Sequence, residues 1–360
     1  MRLGLLFSFV VWLISFAGVA SAEVPKGWPW HGVSVNNLSA SPQDIARLKK
    51  RLGLNVIRLQ LQPRVLVDER KLEGGKAWDE SLRWLDGMLD ACKSEKIGCV
   101  VNISQFLFDP RTSAKHQHEP KFWEAEVFAQ EVLLWVERLS EHTKNRGDEL
   151  IAFDILSEPQ VWMKGPKPPA LFNDRLSQVV TSIRKYNSRA WVVISPAPMG
   201  DPLAYANFSP VKADRLIYGA HMYFPLTFTH QGINKWEMGV SYPSVIDGIN
   251  WDKNQLVRAL APLRDFQMKN DALIWIGEFS ATRWANGGEQ YIQDLVSIFD
   301  EYGWGWAYFS ATGWHGWNPD YNEHYSGNDK SSVGAWKNDY VGEQSRRWQT
   351  LHSIFKVQGK

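Results

Sequence analysis

Several features are scarce in this 360-residue sequence, and each scarcity excludes a class of protein. There are two cysteines, and neither their spacing nor any nearby histidine matches a zinc site. Lysine and arginine total 40 against 39 acidic residues, without a long run of one charge. This balance indicates neither a nucleic-acid surface nor a polybasic membrane patch. Nothing in the sequence points to a metal, an organic cofactor or a protein partner.

Long hydrophobic runs are also scarce, with one exception at the start. Met1-Arg2 is followed by an apolar run from Leu3 to Val19 and by Ala20-Ser21-Ala22. A basic start, an apolar middle and an Ala-x-Ala site are typical of a cleavable signal peptide. We therefore expect residues 1–22 to be removed, residues 23–360 to form one domain, and the protein to be secreted or periplasmic, free of the membrane. An uncleaved anchor is the alternative, because the run is almost long enough to span a bilayer.

The two cysteines, Cys92 and Cys99, leave two alternatives open. Export would permit a disulfide. Cys92 is expected near the end of a helix and Cys99 near the start of the next strand, so their Cα atoms could be close. Two buried free thiols are the other interpretation.

Tryptophan is unusually abundant, with 19 residues. A flat indole ring can stack on the apolar face of a sugar while its N–H meets a hydroxyl. Any single tryptophan is better explained as filling a gap between loops and core, but the set favours a carbohydrate cleft. Many lie in predicted loops: Trp28, Trp30, Trp123, Trp162, Trp236, Trp251, Trp284, Trp314, Trp317 and Trp336.

Short apolar runs alternate with amphipathic segments eight times along the chain. Such alternation predicts parallel strands separated by helices, and eight units predict a closed single-domain (β/α)8 TIM barrel. An open doubly wound sheet is the alternative, but no Gly-rich phosphate loop follows the first strand. The predicted strands are His31–Asn37, Asn55–Leu61, Ile97–Ile103, a fourth ending at Glu158, Trp191–Ser195, Leu216–Tyr223, a seventh ending at Glu278, and Gly305–Ser310.

Helix boundaries are marked by capping residues. Ser41-Pro42 places an N-cap and a first-turn proline at the start of a helix that Gly53 ends. Asp252 is the expected N-cap of a later helix. The other predicted helices span about Trp78–Ser94, Lys121–Asn145, Ala170–Tyr186, Glu289–Glu301 and Ser345–Phe355.

Two of the predicted strands end on a carboxylate. Ile151–Pro159 carries Glu158 just before a proline that cannot continue the ladder, and Leu273–Phe279 carries Glu278. Carboxylates at the same end of two parallel strands can flank one bond of a sugar, which is what glycoside hydrolysis requires. The alternative is that each is a surface charge at a strand end.

Polar residues on other strands are placed to support this pair. Arg58 on the second strand is the expected cation beside the ionised glutamate, although a structural salt bridge is the alternative. His221 and Tyr223 alternate on the sixth strand and therefore face the same way, either as donors to Glu278 or a sugar, or as core residues. Asp154 lies four residues before Glu158 and is predicted to be a structural partner inside the barrel.

These residues together resemble glycoside hydrolase family 5, the cellulase-like retaining enzymes with a (β/α)8 barrel. Ser157-Glu158-Pro159 is similar to the family's Asn-Glu-Pro motif, and Ile276-Gly277-Glu278-Phe279 to its seventh strand. The resemblance implies that Glu158 is the acid/base and Glu278 the nucleophile. It also covers Arg58 and His221-Met222-Tyr223, and it extends over essentially the whole chain after residue 22.

The departures from the family pattern lie among the residues expected to contact sugar. Ser157 stands where the family has asparagine, and Val101-Asn102-Ile103-Ser104 replaces an Asp-x-His pattern. The eighth strand offers Phe309 in place of tryptophan, with Trp306 and Trp314 nearby. The implied substrate-contact set is Arg58, Ser157, His221, Tyr223, Trp306, Phe309 and Trp314.

The sequence thus predicts a retaining glycoside hydrolase acting on a β-linked, β-glucan-like polysaccharide or oligosaccharide. Two alternatives follow from the departures: a transglycosylase on the same scaffold, or a catalytically weak polysaccharide-binding protein. A barrel without any sugar role would leave the loop tryptophans unexplained.

Overall fold

A computed structural model describes residues 23–104, 106–107, 120–159, 172–325 and 335–358. The predicted signal peptide, Trp162 and the predicted helix start at Ala170 lie outside these ranges. None of the helices in these ranges combines the length and the hydrophobicity that a membrane span requires.

The described chain folds into a closed barrel of eight parallel strands, as the alternation predicts. The strands are β1 (His31–Asn36), β2 (Val56–Leu61), β3 (Gly98–Ile103), β4 (Leu150–Ile155), β5 (Trp191–Ile194), β6 (Leu216–Met222), β7 (Ser244–Ile246), β8 (Ile249–Trp251), β9 (Ile274–Phe279) and β10 (Gly305–Tyr308). The strand order around the barrel is β1-β10-β9-β6-β5-β4-β3-β2. The seventh and eighth predicted strands are therefore β9 and β10.

Helices connect the strands and cover the outside of the barrel. They are α1 (Pro42–Leu52), α2 (Pro63–Arg70), α3 (Gly74–Glu95), α4 (Ala125–Phe128), α5 (Leu134–His142), α6 (Phe172–Arg184), α7 (Leu226–Thr229), α8 (Lys253–Asn270), α9 (Gly288–Glu301) and α10 (Arg346–Gln358). A 3-10 turn at Pro120–Trp123 precedes α4, and a π-helical turn at Ala129–Leu133 joins α4 to α5, so the predicted helix Lys121–Asn145 is built from four segments.

The predicted caps of α1 and α8 are confirmed. The backbone N–H of Ser41 donates to Asp44 (2.9 Å), and Gly53 ends α1 in the left-handed conformation. The side chain of Asp252 accepts from the backbone N–H of Gln255 (2.9 Å) at the start of α8. These local signals therefore set helix ends before any tertiary contact is considered.

Helices α2 and α7 and the hairpin β7–β8 are absent from the sequence-based prediction. Helix α2 begins with Pro63 at its first position, a signal that was available in the sequence. Helix α7 and the antiparallel hairpin both lie in the long loop between β6 and α8. These additions leave the barrel order unchanged.

Alternate residues of each strand contribute to two different hydrophobic cores. A small core fills the barrel interior towards the amino ends of the strands and contains Val56, Val100, Ala152, Val193, Ile217, Trp275 and Ala307. The larger core lies between the strands and the helices. Two residues further along the same inward faces, the side chains become polar: Arg58, Asn102 and Asp154 follow Val56, Val100 and Ala152. The interior therefore changes from apolar to charged towards the carboxyl ends of the strands, where sites of this fold are built.

The structure joins Cys92 and Cys99 in a disulfide, with Cα atoms 6.7 Å apart. Cys92 lies in the last turns of α3 and Cys99 is the second residue of β3. The bond therefore fixes a helix directly to the strand that follows it.

Candidate active site

Glu278 faces the barrel interior because of a bulge in β9. Ile274 and Ile276 point outward into the larger core, so strict alternation would also turn Glu278 outward. The register against β6 shifts between Ala220↔Ile276 and His221↔Glu278, which makes Gly277 the extra residue. A β-bulge of this kind re-aims the next side chain. Glu278 consequently points inward.

Three donors converge on the Glu278 carboxylate. Arg58 Nη1 donates to Oε1 (2.7 Å), and Gln60 Nε2 donates to the same oxygen (3.1 Å). The Tyr223 hydroxyl donates to Oε2 (3.1 Å). These contacts hold one orientation of a largely buried carboxylate and stabilise its negative charge.

Arg58 also binds Asp154, through Nε to Oδ2 at 2.7 Å. Burial by itself would lower the pKa of Arg58, but the carboxylates of Asp154 and Glu278 outweigh it and raise that pKa. Burial and the nearby Glu278 also raise the pKa of Tyr223 well above its ordinary value, so its hydroxyl keeps its proton. The predicted structural pairing of Asp154 inside the barrel is confirmed, and Arg58 lies against Glu278 as well.

We expect Arg58→Met to lower the free energy of unfolding by about 3–5 kcal/mol, since it leaves the buried carboxylates of Asp154 and Glu278 without their cation. Urea denaturation at neutral pH measures this difference. Arg70→Met is the matched control, because Arg70 pairs with Glu80 on the surface, where the side chains are 47% and 34% exposed. That change should cost about 1 kcal/mol or less. Equal losses for the two variants would contradict a buried charge cluster.

Glu158 lies just beyond β4 and forms a hydrogen bond with His221. His221 Nδ1 lies 2.7 Å from Glu158 Oε1 and 3.8 Å from Glu278 Oε2. Burial would lower the pKa of His221, but Glu278 and Glu158 together raise it. His221 therefore holds a proton beside both carboxylates. Its closer partner is Glu158, whereas the sequence predicted a contact with Glu278 or a sugar.

The two glutamates are close together but differently exposed. One ligating atom from each of Glu158, His221 and Glu278 lies within 4.8 Å of the others. The Glu158 side chain is 37% exposed and that of Glu278 is 10% exposed. The pair thus combines an enclosed, donor-rich carboxylate with one that solvent reaches.

Among the described residues, these three side chains are the group whose spacing would also suit a metal ion. Arg58 lies in hydrogen-bond contact with one of them, and its fixed positive charge opposes a second cation at that place. The donor set is better suited to proton transfer than to metal binding.

Ser157 lies beside Glu158 and is buried. Asn102 Nδ2 donates to the Ser157 hydroxyl (3.2 Å) and to the backbone oxygen of Asp154 (2.5 Å). The side-chain amide of Asn102 thus holds the short side chain of Ser157, which occupies the position where the family motif has an asparagine.

Aromatic side chains extend the site beyond Tyr223. The ring of Trp317 lies 6.0 Å from Tyr223, 5.4 Å from His230, 5.4 Å from Phe309 and 5.0 Å from Trp314. All five side chains are partly exposed. We call this set the mouth cluster; it forms a continuous aromatic surface that reaches Glu278 through the Tyr223 hydroxyl.

Trp306 does not belong to this site, and its predicted role as a substrate contact is wrong. Its ring is fully buried, stacks on His31 (4.9 Å) and packs against Phe355 of α10 (5.1 Å). Trp306 pairs with the first residue of β1 and points outward, whereas its neighbour Ala307 points inward. Its position therefore places it in the outer core.

Three residues near Glu278 are not in the predicted set of site residues. Gln60 had a usable signal, since it lies two residues after Arg58 on the same strand face. Trp317 enters the prediction only as one of many tryptophans in loops, and His230 does not enter it. Both reach the site from loops, whose paths local patterns do not predict.

Comparison with known families gives a match over most of the chain. The model of Cellulase (glycosyl hydrolase family 5) matches residues 20–314. Endoglucanase C of Acetivibrio thermocellus and Endoglucanase C307 of Clostridium sp. (strain F1) are each 23% identical over 264 residues, which is 65% of this chain and 73% of the relative.

Solved structures show the same fold at low identity. Subunit Z of the clostridial cellulose synthase from Clostridioides difficile superposes with a TM-score of 0.63 at 15% identity, covering 92% of this chain and 95% of that one. Cel5A of Thermotoga maritima, solved with mannotriose, gives 0.63 at 18% identity, covering 89% and 97%. With the family match over residues 20–314, the chain belongs to glycosyl hydrolase family 5, the cellulase family.

Proposed function

We propose that this glycoside hydrolase cleaves a β-linked glucan with retention of anomeric configuration, with Glu278 as nucleophile and Glu158 as acid/base. The observation that carries the proposal is the separation of the two carboxylates, whose nearest ligating oxygens lie within 4.8 Å. Retaining enzymes hold their carboxyl groups roughly 5 Å apart, whereas inverting enzymes need about 6.5–9.5 Å to admit a water between carboxylate and sugar.

The environments of the two residues support this division of roles. A nucleophile must be ionised and fixed, and Glu278 has three donors and little exposure. An acid/base must exchange protons with the leaving group and with water, and Glu158 is the more exposed residue and lies against His221.

In the first step, a Glu278 oxygen bonds to the anomeric carbon as the bond to the leaving oxygen breaks. The proton of Glu158 passes to that oxygen, so the departing sugar leaves neutral. In the second step, water attacks the anomeric carbon, gives a proton to Glu158, and the bond to Glu278 breaks. A second sugar in place of water would give transglycosylation. The cycle regenerates both carboxyl groups and needs no cofactor.

The substrate class rests on the relatives. Endoglucanase C and Endoglucanase C307 are named as endoglucanases, which supports a β-glucan for this chain as well. The mouth cluster supports a polysaccharide, because aromatic faces stack on sugar rings.

We also propose that the protein acts outside the cytoplasm after removal of residues 1–22. The basic start, apolar run and Ala-Ser-Ala site support export. The Cys92–Cys99 bond supports it too, since disulfides persist mainly in oxidising compartments.

The test is incubation with a panel of β-glucans, mannans, xylans and bacterial exopolysaccharides, with products read by mass spectrometry and the first-formed anomer by proton NMR. We expect shorter products from a β-glucan, with the new reducing end formed as the β-anomer. The α-anomer would overturn retention, and longer products would show transglycosylation. Binding to one glycan without any product would establish a polysaccharide-binding protein.

A further inference from the structure

His230 lies next to the nucleophile, on the loop that follows α7. Its ring centroid is 5.1 Å from that of Tyr223 and 5.4 Å from that of Trp317. Tyr223 in turn donates to Glu278. His230 is therefore one side chain removed from the carboxylate that attacks the sugar.

The hydrogen bonds of Thr229 determine which nitrogen of His230 carries the proton. The Thr229 hydroxyl lies 2.6 Å from the backbone oxygen of Tyr223 and 3.4 Å from that of Pro225. A carbonyl oxygen only accepts, so the single hydroxyl proton is donated there. The same hydroxyl oxygen lies 2.8 Å from His230 Nδ1, and this contact requires that Nδ1 be the donor.

The remaining nitrogen, Nε2, is then a hydrogen-bond acceptor. Burial lowers the pKa of His230 to about 4, although Glu278 acts in the opposite direction, so the ring is neutral near pH 7. A neutral imidazole with a proton on Nδ1 has its lone pair on Nε2. Within the described ranges no side chain or backbone group hydrogen-bonds Nε2, and the atom is not enclosed.

An acceptor complements the other groups around Glu278. Arg58, Gln60 and Tyr223 all contribute donors there. Phe309 and Trp317 contribute apolar surface. Each sugar hydroxyl carries a proton that needs an acceptor once water is displaced, and leaving it unpaired costs binding energy.

We propose that His230 Nε2 accepts a hydrogen bond from a hydroxyl of the sugar ring attacked by Glu278, and so makes His230 a specificity-determining residue of this enzyme. The inference rests on the proposed function, because it takes the glycan to bind across Glu278 and the mouth cluster. It assigns to Thr229 the role of a positioning residue that sets the His230 tautomer.

The kinetic test uses dinitrophenyl β-cellobioside and its 2-, 3- and 6-deoxy analogues on the ring next to the leaving group. His230→Phe keeps an aromatic ring but removes the acceptor, and we expect kcat/KM for the parent compound to fall about tenfold. One deoxy analogue should show the same loss with the wild type and no further loss with the variant. Independent, additive losses for all three analogues would overturn the proposal. His142→Phe is the control, since His142 pairs with Asp86 on the outer helices and should leave kcat/KM unchanged.

A second measurement separates this inference from the proposed function. Nitrogen NMR of histidine-labelled protein should show Nδ1 of His230 protonated and Nε2 unprotonated, whatever the enzyme cleaves. The isosteric Thr229→Val removes the acceptor for Nδ1 and should shift the ring towards the Nε2–H tautomer. This variant also tests the proposal if His230→Phe does not fold. A proton on Nε2 in the wild type would overturn the role of His230 while leaving the hydrolase assignment intact. If the wild type cleaves no cellobioside, the proposed β-glucan substrate fails, and the tautomer measurement still decides the role of His230.

Discussion

Glu278→Gln is expected to lower kcat on a β-glucan by on the order of 10^4-fold or more while the protein remains folded. Glutamine has nearly the same shape and keeps an oxygen that can accept from Arg58, but an amide cannot displace the leaving group at the anomeric carbon. Turnover of the purified variant, followed by reducing ends released, measures the loss.

Glu301→Gln is the matched control for this variant. Glu301 is the exposed last residue of α9, so the same chemical change there should leave kcat unaltered. Thermal unfolding of both variants checks that the fold is intact. Near-normal turnover by Glu278→Gln would remove Glu278 as the nucleophile and with it the proposed mechanism.

Glu158→Gln is expected to have an effect that depends on the leaving group. Hydrolysis of the polysaccharide should fall by about 10^2–10^4-fold, because the departing sugar oxygen needs the proton that Glu158 supplies. Dinitrophenyl β-cellobioside releases a stable phenolate without that proton, so the first step should lose far less. Burst kinetics with the dinitrophenyl substrate, compared with steady turnover of the glucan, measures the two effects.

The dependence on leaving group distinguishes the two glutamates. Glu278→Gln should be inactive on both substrates, because the nucleophile is needed whatever departs. Azide, which needs no general base, should accelerate the second step of Glu158→Gln and yield a glycosyl azide. Equal losses on both substrates for Glu158→Gln would mean that this residue acts in some way other than proton transfer.

The eight barrel strands and the closed barrel were readable from local pattern. Eight apolar runs separated by amphipathic segments predicted the parallel barrel, and Ser41 and Asp252 predicted two helix starts that the structure contains. Glu158 and Glu278 were conspicuous because a carboxylate at the end of a buried strand is unusual. Alternation also indicated that Asp154 would face inward, and the structure pairs it with Arg58.

Local pattern failed where a side chain's direction or a loop's path depended on another part of the chain. Trp306 had the residue type expected of a sugar contact, but its position at the start of β10 turns it outward onto His31 and Phe355. His221 was expected to meet Glu278 or a sugar, and it lies closer to Glu158. Gln60 could have been predicted from the same alternation that placed Arg58, because it lies two residues further along the same face of β2.

The amino-acid sequence by itself therefore determined the class of fold and the family, and it predicted the two carboxylates, because each depends on periodicity or on a motif within one segment. Tertiary structure alone decided that Glu278 faces the site, since the bulge at Gly277 exists only in the register of β9 against β6. It also decided the surroundings of that carboxylate, because His230 and Trp317 arrive on loops separated from it by tens of residues. The physical reason is that a strand's period is local, whereas register and loop docking are set by contacts between segments distant in the chain.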